Sequence, residues 1–194
     1  MPLNQKKLRA TLARIALVQV TAFAERHKGE QFYGFAFDCN ADYCQIVLCL
    51  NTEQDLQDRA KKLKEAPPKS FLPKFDKMME EKYGVKPKPL YDDKTMPEIV
   101  EQLRWETGDW KYQGFYNCDD NPEWAALATD IAEEEDSDSN REIFLEAVCH
   151  VLPDVQAAFD RLNCTSNFRG LVIDHDESVE TAWRRLEKVQ SQVA

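Results

Sequence analysis

Carboxylates crowd one short stretch of this chain. Residues 119–146 contain eleven aspartates and glutamates against one base, Arg141. That surplus alone matches the formal net charge of −10 carried by all 194 residues. Its densest part supplies five candidate contacts for a positively charged partner: Glu133, Glu134, Glu135, Asp136 and Asp138. One chemistry open to such a cluster is calcium binding, and spacing tests it. Asp136, Asp138 and Asn140 fit the first three ligand positions of an EF-hand loop. The position that needs glycine is Arg141, however, and the one that needs a bidentate glutamate is Ala147. The other chemistry is long-range attraction of a basic protein, which speeds encounter and fades with salt. A solvated loop without a partner fits the same composition. The negative field disfavours nucleic acid and anionic membrane as partners.

The other reactive side chains are thinly spread. Trp105, Asp109, Trp110 and Tyr112 fall within eight positions, and Trp110 and Tyr112 share one face of an extended segment. They form a candidate aromatic pocket, although aromatic rings at such spacing also serve as core. Asp174-His175-Asp176-Glu177 follows an apolar run, so an acid–base pair could gather at that strand end. It also reads as the polar entry to a helix. Cys149 and His150 are adjacent, but neighbouring side chains on a helix diverge by ~100° and cannot act on each other. The three histidines are too few for a multi-histidine metal centre. No nucleophile elbow, phosphate-binding loop, dinucleotide fingerprint or zinc-protease helix is present. No catalytic residue, metal or cofactor is therefore expected, and the pattern leans away from an enzyme.

The elements that must position these groups can be traced from periodicity. Residues 4–27 read as a long amphipathic helix, with Leu8, Leu12, Ile15, Gln19, Ala22 and Phe23 on one face. Two apolar runs, 32–38 and 43–50, flank the turn Asn40-Ala41-Asp42 and read as a hairpin. In the first run, Tyr33, Phe35 and Phe37 point one way, and Gly34 and Ala36 the other. Thr52 opens a helix over 53–64 that stops before Pro67-Pro68. Residues 70–83 and 97–103 read as further helices, with a lysine- and proline-rich loop over 85–93 between them. A strand is expected over 110–116, and Asn121-Pro122 starts a helix running toward 135. Residues 133–140 read as a loop or frayed helix end. Helix resumes over 141–163, interrupted at Pro153. A last strand covers 171–174, and Ser178 caps a final helix.

These segments place the chain in the α+β class. The expected sheet is small and mainly antiparallel, built from the hairpin 32–50 with strands near 110–116 and 171–174, and packed with several helices. The length suits a single domain over 1–194, which can bury roughly 70% of its unfolded surface without staples. Six cysteines without a CxxC pair, mostly in predicted strands and helices, read as small buried hydrophobes in a reducing, cytoplasmic setting. No apolar run approaches the ~20 residues that span a bilayer.

Three pieces carry a family likeness: Tyr33-Gly34-Phe35-Ala36-Phe37, then Asn51-Thr52-Glu53, then Leu103-Arg104-Trp105 with Asp109-Trp110-Lys111-Tyr112. In order and spacing they resemble a mainly bacterial family of domains of unknown function, the one numbered four-three-zero-three. The motif-bearing part covers about residues 1–117. The resemblance implies a small cytoplasmic α+β domain and brings no catalytic residues with it.

Three functional expectations follow. The first is a non-enzymatic binding protein whose segment 119–146 contacts a basic protein, in the manner of small acidic immunity proteins that neutralise toxins. That last step is an analogy of class. The second is an enzyme whose carboxylates and aromatics gather from distant positions. The third is a structural or oligomeric module that buries the apolar face of the first helix.

Overall fold

The computed structural model describes residues 4–66, 73–84, 91–132 and 137–192, with the backbone alone at 73–76, 132 and 137–139. They fall into two compact units. One combines Met1–Glu53 with Thr107–Ala194, and the other is Gln54–Glu106.

The first unit is built on a four-stranded sheet: β1 (Phe32–Asn40), β2 (Gln45–Thr52), β3 (Tyr112–Asn117) and β4 (Cys164–Asp174), in the order β3-β2-β1-β4. β1 and β2 pair antiparallel, as do β2 and β3, whereas β4 lies parallel to β1. The α+β class and the mainly antiparallel sheet hold. The two central strands carry the continuous apolar runs seen in the sequence, because both of their edges and both of their faces are covered. β4 is an edge strand and is much longer than 171–174. Its first half, Cys164–Arg169, is polar and half exposed, so hydrophobic alternation does not mark it. The hairpin turn also differs. Residues Ala41–Tyr43 form a 3₁₀ turn closed by Cys44 at φ +52°, so β2 starts at Gln45 rather than at 43.

The sheet has two unlike faces. Phe35, Phe37 and Cys39 join Ile46, Leu48, Leu50 and Val172 in the main core. Opposite them lie Ala36, Asp38, Val47 and Ile173, by the alternation of the strands. A register shift between Phe32 and Gly34 changes the parity at the start of β1. Phe32 therefore enters the core, and Tyr33 turns away from the face that holds Phe35 and Phe37. A second shift, between Leu48 and Leu50 opposite β3, accommodates Gly114 at φ +59°, where a side chain would be strained.

Helices cover the core face. α1 (Gln5–Arg26) is capped by Asn4, whose Oδ1 accepts from Lys7 N, and buries Leu8, Leu12, Ile15, Ala16, Val20 and Phe23. Ala22 is exposed and Ala24 buried, so the apolar face is rotated slightly from the expected one. α1 packs on α5 (Pro122–Ala132), α6 (Ser137–Cys149) and the short α7 (Gln156–Phe159). Asn121 Oδ1 caps α5 by accepting from Glu123 N and Trp124 N. α6 starts before 141 and ends at Cys149, ahead of Pro153, which opens the 3₁₀ turn Pro153–Val155 that leads into α7. α8 (Val179–Ser191) starts at Ser178, whose Oγ accepts from Thr181 N at 3.3 Å, and packs on α6 and β4.

The second unit contains most of α2 (Glu53–Glu65), α3 (Pro73–Tyr83) and α4 (Met96–Leu103). Leu56, Ala60, Tyr91, Ile99, Val100 and Leu103 are buried. Lys64 Nζ donates to the carbonyls of Tyr91, Asp92 and Lys94 at 2.7–2.9 Å, and so ties the end of α2 to the turn that leads into α4.

Candidate functional site

Three strands of the sheet and the residue that follows the fourth line a cleft of about 350 Å³ at one end of the first unit. Asp38, Cys39 and Asn40 end β1, Gln45, Ile46 and Val47 open β2, and Gln113 stands in β3. Thr107 and Gly108 come from the turn before β3, and His175 directly follows β4. Its volume lies near the lower end of the ~300–1,000 Å³ common for ligand sites.

Asp38 is the charged centre of this cleft. It is half-buried, on the sheet face away from the main core, and the Thr107 hydroxyl donates to its Oδ2 at 2.7 Å. Among the described residues its other oxygen has no hydrogen-bond partner. Burial raises the Asp38 pKa above the ordinary carboxylate value, and the Thr107 hydrogen bond and the charge of His175 pull against that rise. Cys39, beside it, faces the core. Burial pushes its thiol far up, so it is no nucleophile.

The turn that carries His175 is held from behind. His175 N donates to Cys39 O at 2.9 Å, which extends the β1–β4 pairing by one residue. Arg141 Nε donates to Asp174 Oδ2 at 3.0 Å, and Asp174 is itself buried. Glu177 folds back to accept from Asp174 N at 2.8 Å and grips Arg185 with both oxygens. Arg185, buried in α8, also reaches Glu142 at 3.2 Å. Burial works against the guanidinium charge, but the two carboxylates outweigh it and raise the Arg185 pKa. The sequence Asp174-His175-Asp176-Glu177 thus divides its labour. Asp174 and Glu177 brace the turn, and His175 and Asp176 remain at the surface, 3.3 Å apart.

A family model described as a domain of unknown function (DUF4303) matches residues 12–189. The chain belongs to that family. The match takes in the helices beyond residue 117 as well as the three motif pieces. No curated protein and no solved structure matches the chain.

Tyr33, Thr52 and Lys111, from the motif pieces of this DUF4303 domain, meet around one buried side chain. Asn51, 2% exposed, donates from Nδ2 to the Tyr33 hydroxyl at 3.0 Å. Its Oδ1 accepts from Thr52 N at 2.9 Å and from Lys111 N at 3.2 Å. Trp110 lies edge-on to the Tyr33 ring, 5.8 Å away. These contacts join β1, the end of β2 and the entry to β3.

A second charged cluster surrounds Glu30, between α1 and β1. Lys111 Nζ donates to Glu30 Oε2 at 2.6 Å, and the Tyr112 hydroxyl donates to Oε1 at 2.5 Å. His27 Nδ1 is 2.9 Å from the same Oε1. Burial opposes the charge on Glu30, but the hydrogen bonds from Lys111, Tyr112 and His27 outweigh it and bring the carboxyl down to about 2. Phe23 stacks on His27 and meets Tyr112 edge-on.

The residues singled out from sequence are therefore dispersed. Trp110 is buried against Tyr33, Tyr112 belongs to the Glu30 cluster, and Asp109 sits in the exposed turn after Thr107. Trp105 belongs to the other compact unit. Glu133, Glu134, Glu135, Asp136 and the Asp138 side chain lie outside the described residues. Asp38 and Thr107 escaped sequence reasoning. The one signal for Asp38 was a carboxylate interrupting an otherwise apolar strand. The other cysteines are spent on packing: burial lifts Cys44 and Cys164 to about 11 and Cys49 and Cys149 to about 12. Among the described residues no group of His, Cys, Asp and Glu could hold a metal ion, and no helix is long and apolar enough to cross a membrane.

Proposed function

We propose that this chain is a binding protein whose site is the Asp38 cleft. One observation carries the reading: a half-buried carboxylate, anchored through one oxygen by Thr107, lines a cavity built from β1, β2, β3 and the residue that follows β4. Anchoring fixes the acceptor in advance, so a ligand loses little by ordering it. The flanking Asn40, Gln45 and Gln113 add donors and acceptors that set orientation. Backbone ¹⁵N–¹H NMR during a screen of small polar fragments tests this. Shift changes are expected to converge on residues 38–40, 45–47, 107–108, 113 and 175. Hits that converge elsewhere and spare these positions refute it.

A second reading keeps the basic protein partner, because residues 119–146 carry the chain's whole net charge. Part of that charge is already answered within the fold. Glu123 pairs with Arg14, Glu142 with Arg185 and Glu146 with Lys188. What is left for a partner rests on Asp119, Asp120, Asp130 and the five residues Glu133, Glu134, Glu135, Asp136 and Asp138. An immunity-like role is the narrowest form of this reading. Neutralising those five should slow association with a basic partner at low salt, and an unchanged rate removes the idea. Free cysteines throughout accord with a cytoplasmic location.

A further inference from the structure

We infer that the Asp38 cleft takes a cationic nitrogen group, an alkyl guanidinium or a primary ammonium, with Asp38 as its counter-ion. The inference rests on the reading of the cleft as a ligand site and names the chemistry of what it holds. A carboxylate has room for about four hydrogen bonds, and Thr107 takes one. The remainder match the several N–H donors of a guanidinium or ammonium. The side-chain amides of Asn40, Gln45 and Gln113 offer neutral carbonyl oxygens for donors that Asp38 does not reach. Val47, which shares the sheet face of Asp38, provides an apolar wall for an alkyl stem.

Charge around the cleft points the same way. His175 is the basic side chain among the lining residues, and Asp176 stands 3.3 Å from it. An anion entering the cleft would meet the Asp38 carboxylate in a partly dehydrated setting, which is strongly unfavourable. A cation relieves that desolvation. The group could belong to a free small molecule or to an arginine or lysine side chain on a partner. The second source would make the cleft a socket within the electrostatic capture of a basic protein.

Calorimetry and ¹⁵N–¹H NMR on the full chain separate these cases. The probes are agmatine, butylammonium, butylurea, butyrate and a blocked Gly-Arg-Gly tripeptide. Agmatine and butylammonium are expected to bind with Kd of about 1–10 mM, as suits ligands of so few atoms. Asp38→Asn should weaken them at least about tenfold, whereas Asp176→Asn, a control for diffuse surface charge, should cost under about twofold. Gln113→Lys, at an exposed position, places an ammonium in the cleft and should abolish binding even if the Asp38 variant fails to fold. A tripeptide that binds tighter than agmatine identifies a protein source, and the reverse order a small-molecule one. Butylurea or butyrate binding as well as the cations overturns the charge assignment and leaves the cleft a ligand site. Equal losses from Asp38→Asn and Asp176→Asn overturn the assignment to Asp38. No response at the cleft to any probe overturns both this inference and the reading beneath it.

Discussion

Replacing Glu30 by glutamine isolates the contribution of a charge at almost constant shape. The Glu30 carboxyl is held at about 2 against an ordinary 4.5. If none of that preference were lost to solvent, it would stabilise the fold by about 3 kcal/mol at neutral pH. About a quarter of the side chain is open to water and Lys111 is more exposed still, so screening should leave about 1–2 kcal/mol. The sign follows from the direction of the shift. The folded value lies below the unfolded one, so the stabilisation is complete above pH 4.5. It drains away as pH falls from 4.5 toward 2. Urea unfolding of the native chain and Glu30→Gln at pH 7, 5 and 3, in 0.1 M salt, measures the difference directly. Far-UV circular dichroism and tryptophan fluorescence must give coincident transitions, since the chain has two compact units. The gap should be about 1–2 kcal/mol at pH 7 and should shrink below about 1 kcal/mol at pH 3. A gap of the same size at all three values would mean that the variant disturbs packing around Tyr112, and the electrostatic account of this cluster would be wrong.

Two further substitutions probe the other polar anchors by the same denaturation measurement. Asn51→Ala removes the buried side chain that bonds the Tyr33 hydroxyl, Thr52 N and the Lys111 amide and should cost about 3 kcal/mol; a loss below about 1 kcal/mol would mean water replaces the side chain. Arg185→Met strands Glu177, 8% exposed, and should cost about 3–5 kcal/mol, most of which Glu177→Gln added to it should restore. If the double variant is no better than the single one, packing of the arginine stem, rather than its charge, holds the turn that carries His175.

How far the sequence foretold this fold depended on where each element sits in the sheet. β1 and β2 were legible because central strands bury both faces and must be apolar almost throughout. The first half of β4 was not, since an edge strand tolerates Thr165, Ser166 and Asn167 in succession. Tyr33 was placed on the wrong face by strict alternation, because a local register shift reverses parity and leaves no mark on composition. The cleft was hidden for a different reason. Asp38 and Thr107 stand 69 positions apart, and His175 a comparable distance beyond, so only the pairing of β4 beside β1 brings them to one end of the sheet. The family motifs, by contrast, were plain in the sequence because Asn51 binds its partners at fixed backbone positions, next to it in β2 and at the entry to β3. That contrast bears on function. Residues that hold strands together leave compact local patterns, whereas a site assembled from strand ends leaves single polar residues in apolar runs. In this chain the carboxylate at the end of β1 is such a residue, and the ligand site proposed above rests on it rather than on the acidic stretch that dominates the charge.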